Sequence, residues 1–266
     1  MANSEHLAQL YRGVNVWNAW CETIHGQVNL TDADLTGLEL AQVKLSKALL
    51  NRVRLNSTNL AGADLSFAEL GNALAVKVNL PTADIRSGYL MGASLMEANL
   101  THANLSGANL IGADLTDANL READLGGAIA GRADFSRATL LRANLADANC
   151  SYANFYQAEL AGAHLYQTNL VNARLVAAQA KGAYLVRADL QSALLQGADF
   201  AWADLSRASL GGADLQGVNL RGAKLCFANL RGANLRGASL RGADLTQADL
   251  DVVDLDAADL QDVVGL

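Results

Sequence analysis

Four histidines, three cysteines and a long series of aspartates are the residues of this 266-residue chain that could do chemistry. A metal centre would need three or four His, Cys or carboxylate groups converging on one point. Covalent catalysis would need a Ser or Cys held beside a base. His6 and His25 fall near the N-terminus, while His102 and His164 stand far from them and from each other, so neither arrangement can be built. Cys21, Cys150 and Cys226 form an odd, scattered set without metal-like spacing, which fits a reducing compartment better than a disulfide scaffold. Asn29-Leu30-Thr31, Asn99-Leu100-Thr101 and Asn104-Leu105-Ser106 match the glycosylation sequon but recur as by-products of a repeat. Gly211-Gly212 lacks the Lys-Ser/Thr that a phosphate-binding loop requires. The sequence therefore offers no catalytic residue, no cofactor site and no metal site.

The elements that must position any functional side chain come from a period of five. Every fifth residue from Leu30 to Leu260 is of core type, Leu in 39 of 47 cases; the others are Ala75, Ile85, Ala130, Phe135, Cys150, Phe155, Ala180 and Phe200. Two residues before each centre stands a second small site, Ala in 37 of 47. The residue just before the centre is Asn or Asp in 28 of 47, a type that bonds nearby backbone and favours turns. Gly often stands two after the centre, as at Gly62, Gly107 and Gly232. A period of five matches neither a helix face nor an alternating strand; it means one corner-and-side unit, repeated and stacked.

Net charge is −7, with 20 basic against 27 acidic side chains. That disfavours general nucleic-acid binding, which needs a basic surface. Residues 1–25 carry polar and charged groups throughout, unlike a secretory signal, and no apolar run approaches the ~20 residues of a membrane span. A cytoplasmic protein without membrane contact is the expectation. Within residues 4–25, Leu7, Leu10, Tyr11, Val14, Trp17, Cys21 and Ile24 share one helical face, with Ser4 placed as N-cap and Gly26 as stop. A single amphipathic helix is expected there, covering the open end of the stack. Residues 1–27 thus form a helical cap and 28–266 the repeat body.

The A-(N/D)-L-x-x units, such as Ala103-Asn104-Leu105-Ser106-Gly107 and Ala243-Asp244-Leu245-Thr246-Gln247, resemble the pentapeptide-repeat family over residues 28–262. The resemblance implies an all-β solenoid: a right-handed quadrilateral β-helix of about twelve coils, four pentapeptides per coil, with centre and Ala-site side chains inside. At ~4.8 Å per strand the rod would be about 55 Å long. Residues twenty apart then stack. Ala180 should lie beneath Phe200, and the pairs Ala130/Phe135 and Cys150/Phe155 should repeat one coil apart. Residues 74–90, with Ala75, Val76, Val78, Pro81 and Gly88, are the least regular stretch, and Pro81 marks either a plain corner or a bulge.

The same arithmetic puts Arg231 by Asp251, Arg236 by Asp256, Asp117 by Arg137, Glu122 by Arg142, and Lys224 between Asp204 and Asp244. Tyr89, Met91, Ile111, Ile129, Tyr152 and Val171 fall on one outer face, a candidate surface for an unidentified protein partner. The last 23 residues hold seven Asp and no Lys or Arg. This end either resists polymerisation by charge or forms a homodimer contact through Val252, Val253, Val263, Val264 and Leu266. Two functions compete. One is a non-enzymatic, possibly regulatory scaffold or interaction module, the form that family members abundant in cyanobacteria take. The other is a DNA mimic acting on a type II topoisomerase (DNA gyrase). The second needs a continuous acidic face, and here Lys44, Arg54, Leu74, Arg174, Tyr184, Leu194 and Lys224 break the columns.

Overall fold

The computed structural model describes residues 1–266, beginning with α1 (Ser4–Leu10) and α2 (Val14–Cys21). Beyond them, parallel bridges join each pre-centre residue from Asn29 to Asp244 to the residue twenty positions on, without a break. Four pentapeptides therefore close one coil. We number the faces by the first coil: 28–32, 33–37, 38–42 and 43–47. The first and third faces are opposite sides of a square.

The amides of each pentapeptide are satisfied by one recurring set of bonds, most of them to neighbouring coils. The centre amide donates to the carbonyl nineteen residues on, as Leu100 does to Asn119 at 2.7 Å. The amide two after the centre does the same, and the pre-centre amide donates back to the carbonyl twenty-one before, as Asn104 does to Ala83. The Ala-site amide closes a tight turn onto the preceding centre, as Ala103 does onto Leu100 at 3.0 Å. The fifth amide is bonded by the Asn or Asp side chain two residues earlier, as Ser106 N to Asn104 Oδ1 at 3.0 Å. Where that side chain is present, no buried backbone donor is left over.

The turn explains the composition of the corners. All 47 residues two after a centre have positive φ, although only 15 of them are Gly. Such a value at the third turn residue is the type II geometry, which suits Gly. The other 32 are non-glycine residues held left-handed by the bonds on either side of them. Pro81 falls one position earlier, where type II turns favour proline. It has no amide to offer Asn79. That side chain instead accepts from Asn99 Nδ2 at 2.8 Å and donates to Asn59 Oδ1 at 3.0 Å. The ladder runs unbroken through 74–90, so this is a plain corner and not a bulge.

Centre and Ala-site side chains, joined by Leu10 and Trp17 of the cap, form one continuous core of 86 buried residues. The stacking arithmetic holds: the rings of Phe135 and Phe155 lie 4.8 Å apart and within 5° of parallel. Ala180 is bonded to the strand of Phe200 through Asp199 O at 2.7 Å. Gly88 takes the Ala site because a Cβ there would come within 2.9 Å of Ile85 O and 3.1 Å of Ile85 Cγ2, so the β-branched centre leaves no room. Ala75 lines a small void of about 10 Å³ among Leu55, Leu70, Leu90 and Leu95, whose wholly apolar walls offer a water no partner. The hydroxyls of Thr58 and Thr168, at Ala sites, are bonded at 2.7 Å to Leu35 O and Leu145 O.

The cap differs from the expected single helix. Gly13, at φ 101°, breaks it into two, and Asn3 rather than Ser4 caps α1 by accepting from Glu5 N and His6 N. No L side chain adopts that φ readily, so the helix could not continue through Gly13. Leu10 and Trp17 are fully buried, while Tyr11 is mostly exposed. Trp20, outside the expected face, packs on the core beside Trp17 and His6.

Candidate interaction surfaces

Three of the four histidines take structural roles. His6 Nδ1 accepts from Asn29 N at 2.9 Å, His102 lies 3.5 Å from Glu122, and His164 stacks on Tyr184 at 4.9 Å. No three His, Cys, Asp or Glu side chains group as metal ligands would. Burial pushes the Cys150 thiol up to about 12, and it also raises Cys21. Cys226 is raised first by its hydrogen bond with Asp244, then by burial.

The exposed charges form short columns. Arg231 reaches Asp251 and Arg236 reaches Asp256, each at 2.9 Å. Arg137 grips Asp117 with two bonds of 2.8 and 2.7 Å, which hold that carboxyl below its ordinary range. Two expected pairs are absent. Glu122 turns to His102 instead of Arg142, and Lys224 has no carboxylate within ion-pair distance. A column fixes neighbours on both sides of a charge, and the side-chain rotamer chooses between them.

All six candidate surface residues lie on the first face, but the structure divides them. Tyr89 and Met91, 55% and 49% exposed, leave the same strand two residues apart. Ile111 follows Met91 in its column, and Ile129 follows Tyr89 with Asn109 between. Gly131 and Ser151 then separate this group from Tyr152 and Val171, and Arg132 lies over the Tyr152 ring at 5.9 Å. A shallow groove of about 400 Å³ runs the other way, lined by Asn51, Glu69, Gly71, Asn72, Tyr89, Met91 and Asn109. Its polar wall is preset: Asn51 donates to Glu69 at 2.9 Å and accepts from Gly71 N at 3.1 Å. Sequence reasoning missed this half. The signal was Gly71 standing where the next coil has Met91.

The five C-terminal candidates also separate. Val253 and Val263 are inward Ala-site residues, partly buried on the core, whereas Val252, Val264 and Leu266 are exposed. No helix of the structure is long and apolar enough to cross a membrane.

The molecule is thus a square β-solenoid that presents side chains on flat faces. Eight matches to the model for pentapeptide repeats, between residues 21–52 and 219–256, carry this further: the chain belongs to the pentapeptide repeat family, whose fold is the right-handed quadrilateral β-helix. It is similar to HetL, a pentapeptide repeat protein involved in heterocyst differentiation regulation from the cyanobacterium Nostoc sp. strain PCC 7120 (30% identity, 100% of this chain and 97% of that one, TM-score 0.36). It is also similar to Rfr23 from the cyanobacterium Cyanothece 51142 (38% identity over 39% of this chain and 64% of that one, TM-score 0.30). A third likeness is to QnrB1, a plasmid-mediated fluoroquinolone resistance protein (19% identity, 70% of this chain and 86% of that one, TM-score 0.40). With TM-scores this low, the fold rests on the bridge ladder and the family match. A comparison with curated proteins finds no match.

Proposed function

We propose that this protein is a non-enzymatic interaction module, a rigid rod that docks a partner protein on its first face. The groove beside Tyr89 and Met91 is the observation that carries this reading. It sets exposed apolar side chains beside a preset polar edge, as the apolar core and polar rim of recognition surfaces do. A stiff ladder positions these groups without an ordering cost on binding. The uses recorded for HetL, in regulation of differentiation, are compatible with such a module. The acidic columns needed for a duplex mimic are interrupted, and Arg54 neutralises Asp34 at 3.3 Å.

The test is affinity capture from the source cells with wild type and with Met91→Glu plus Ile111→Glu, followed by reconstitution with the purified partner. Both sites are on the outside, so the fold should survive. Loss of one captured protein, with at least about tenfold weaker binding on reconstitution, supports the reading. An identical captured set would remove the first face as the site. Inhibition of gyrase supercoiling at micromolar protein would favour the duplex mimic instead. Sedimentation of the purified protein tests the expected homodimer contact at the C-terminal coil, of whose five candidates Val252, Val264 and Leu266 are the exposed ones.

A further inference from the structure

The third face carries a second surface of different chemistry. Trp202 stands two after its centre, at the corner between the third and fourth faces, and is 58% exposed. Its six-membered ring lies over Gly222, one coil on, where a Cβ would come within 2.4 Å of Cε3 and Cζ3. The indole is thereby laid against backbone with one side open. A Cβ at Gly182, one coil before it, would meet nothing within 4 Å, so that approach is clear.

The neighbouring column on the third face reads Lys181, Ala201, Arg221 and Arg241. Unlike Arg231 and Arg236, none of these three cations lies within 4.0 Å of a carboxylate. Arg221 and Arg241 are exposed and directly adjacent across strands, an arrangement that is destabilising unless an anion sits between them. The pre-centre column beside them is neutral at Asn219 and Ser239, and Asp199 is already engaged by Asn219 Nδ2 at 2.8 Å and Ala201 N at 3.0 Å. The patch is a local cationic surface on a chain of net charge −7.

We propose that this Trp202–Arg221–Arg241 surface docks a short acidic segment of a partner protein. Lys181 to Arg241 spans three coil steps, about 14 Å, the reach of four to five extended residues. Carboxylates on that segment would pair with the cations, and an apolar side chain would rest on the open indole. A polyphosphate strand fits less well: it carries charge at every unit and meets Asp204, Asp244 and the aspartate-rich coil at 248–264 beyond the cations, where a peptide can place neutral residues. This surface shares no residue with the first-face groove and lies on the opposite side. The rod so equipped holds two partners at once.

The probe is a fluorescein-labelled dodecapeptide of alternating Glu and Ala, followed by anisotropy at low ionic strength. The peptide should bind wild type and also shift its indole emission, a shift that Trp202→Phe abolishes. Arg221→Glu with Arg241→Glu should weaken binding by at least about tenfold, and Trp202→Ala severalfold. Met91→Glu with Ile111→Glu should change nothing, which separates this proposal from the one for the first face. All three side chains are exposed, and unchanged melting curves verify that the variants fold. Equal affinity in the double-arginine variant, or no binding by wild type, overturns the proposal. Tighter binding of a twelve-residue oligothymidylate would give the surface to nucleic acid. Oligomers of wild type that the double variant abolishes would give it to a second copy.

Discussion

The coil at 28–47 and the coil at 248–264 are written in the same pentapeptide, yet one end is closed and the other open. At the first, side chains act in place of a missing strand. Lys44 N donates to Asn18 Oδ1 at 2.8 Å, and Asn18 Nδ2 returns a bond to Gln42 O at 2.9 Å. Trp17 Nε1 donates to Lys44 O, Tyr11 Oη donates to Asp34 O, and His6 Nδ1 accepts from Asn29 N. At the second, the amides of Leu250, Leu255 and Leu260 have no partner in the chain, and these leucines are only partly buried. Closing a solenoid therefore takes more than apolar cover: it takes donors and acceptors placed at strand spacing. The cap supplies them here through a few side chains and one backbone bond, from Asn3 N to Asn29 O at 3.0 Å.

Truncating one core-facing side chain at each end should show the difference most visibly. Trp17→Ala removes a fully buried indole and its bond, and should cost about 3–5 kcal/mol with a lower urea midpoint. Leu255→Ala at the open end should cost less than about 2 kcal/mol. Equal losses would show that the helices contribute nothing beyond what any end residue does. A finer cut is Asn18→Ala, which strands one amide and one carbonyl of the first coil. A loss of about 1–2 kcal/mol is expected, with faster hydrogen exchange at Lys44 N. Unchanged exchange there would mean that water replaces the side chain without cost.

Acidification should give the smallest effect. Glu22 is held below its usual range by the hydrogen bond from Lys44, and Asp32 by that from Arg52. A carboxyl depressed in the folded state contributes stability above its unfolded value, about 3.9–4.3, and loses it as pH falls through the folded value. The melting temperature should therefore hold between pH 8 and 5 and decline only below about pH 4. Because these groups are exposed, the slope should be shallow and should flatten in high salt. A decline that begins near pH 6 would show that these carboxylates are not its source.

The repeat body was legible because one period set burial, register and most of the charge neighbours together. Phe135 on Phe155 and Arg236 by Asp256 followed from counting in twenties. The cap was less so. Its helical face was visible, but the break depended on the φ of Gly13, and the useful groups proved to be polar side chains such as Asn18, whose bonds a hydrophobic pattern does not register. The surfaces were legible only in part. Columns identified Tyr89 with Met91, yet the groove lies where a side chain is lacking, at Gly71. Trp202 was not legible as part of a site, since one aromatic side chain at a corner carries no signal by itself. Only coordinates separated the neutralised arginines, Arg231 and Arg236, from the unneutralised Arg221 and Arg241.

The unbroken twenty-residue winding also makes azimuth a matter of counting. Deleting one whole turn of chain between Met91 and Trp202 would shorten their separation by a single strand spacing and leave their bearings unchanged. Deleting five residues would swing everything downstream through a quarter-circle, bringing the cationic patch onto a flank adjacent to the groove. Angle and distance between two docking points can thus be altered independently, by the remainder and the quotient of one number.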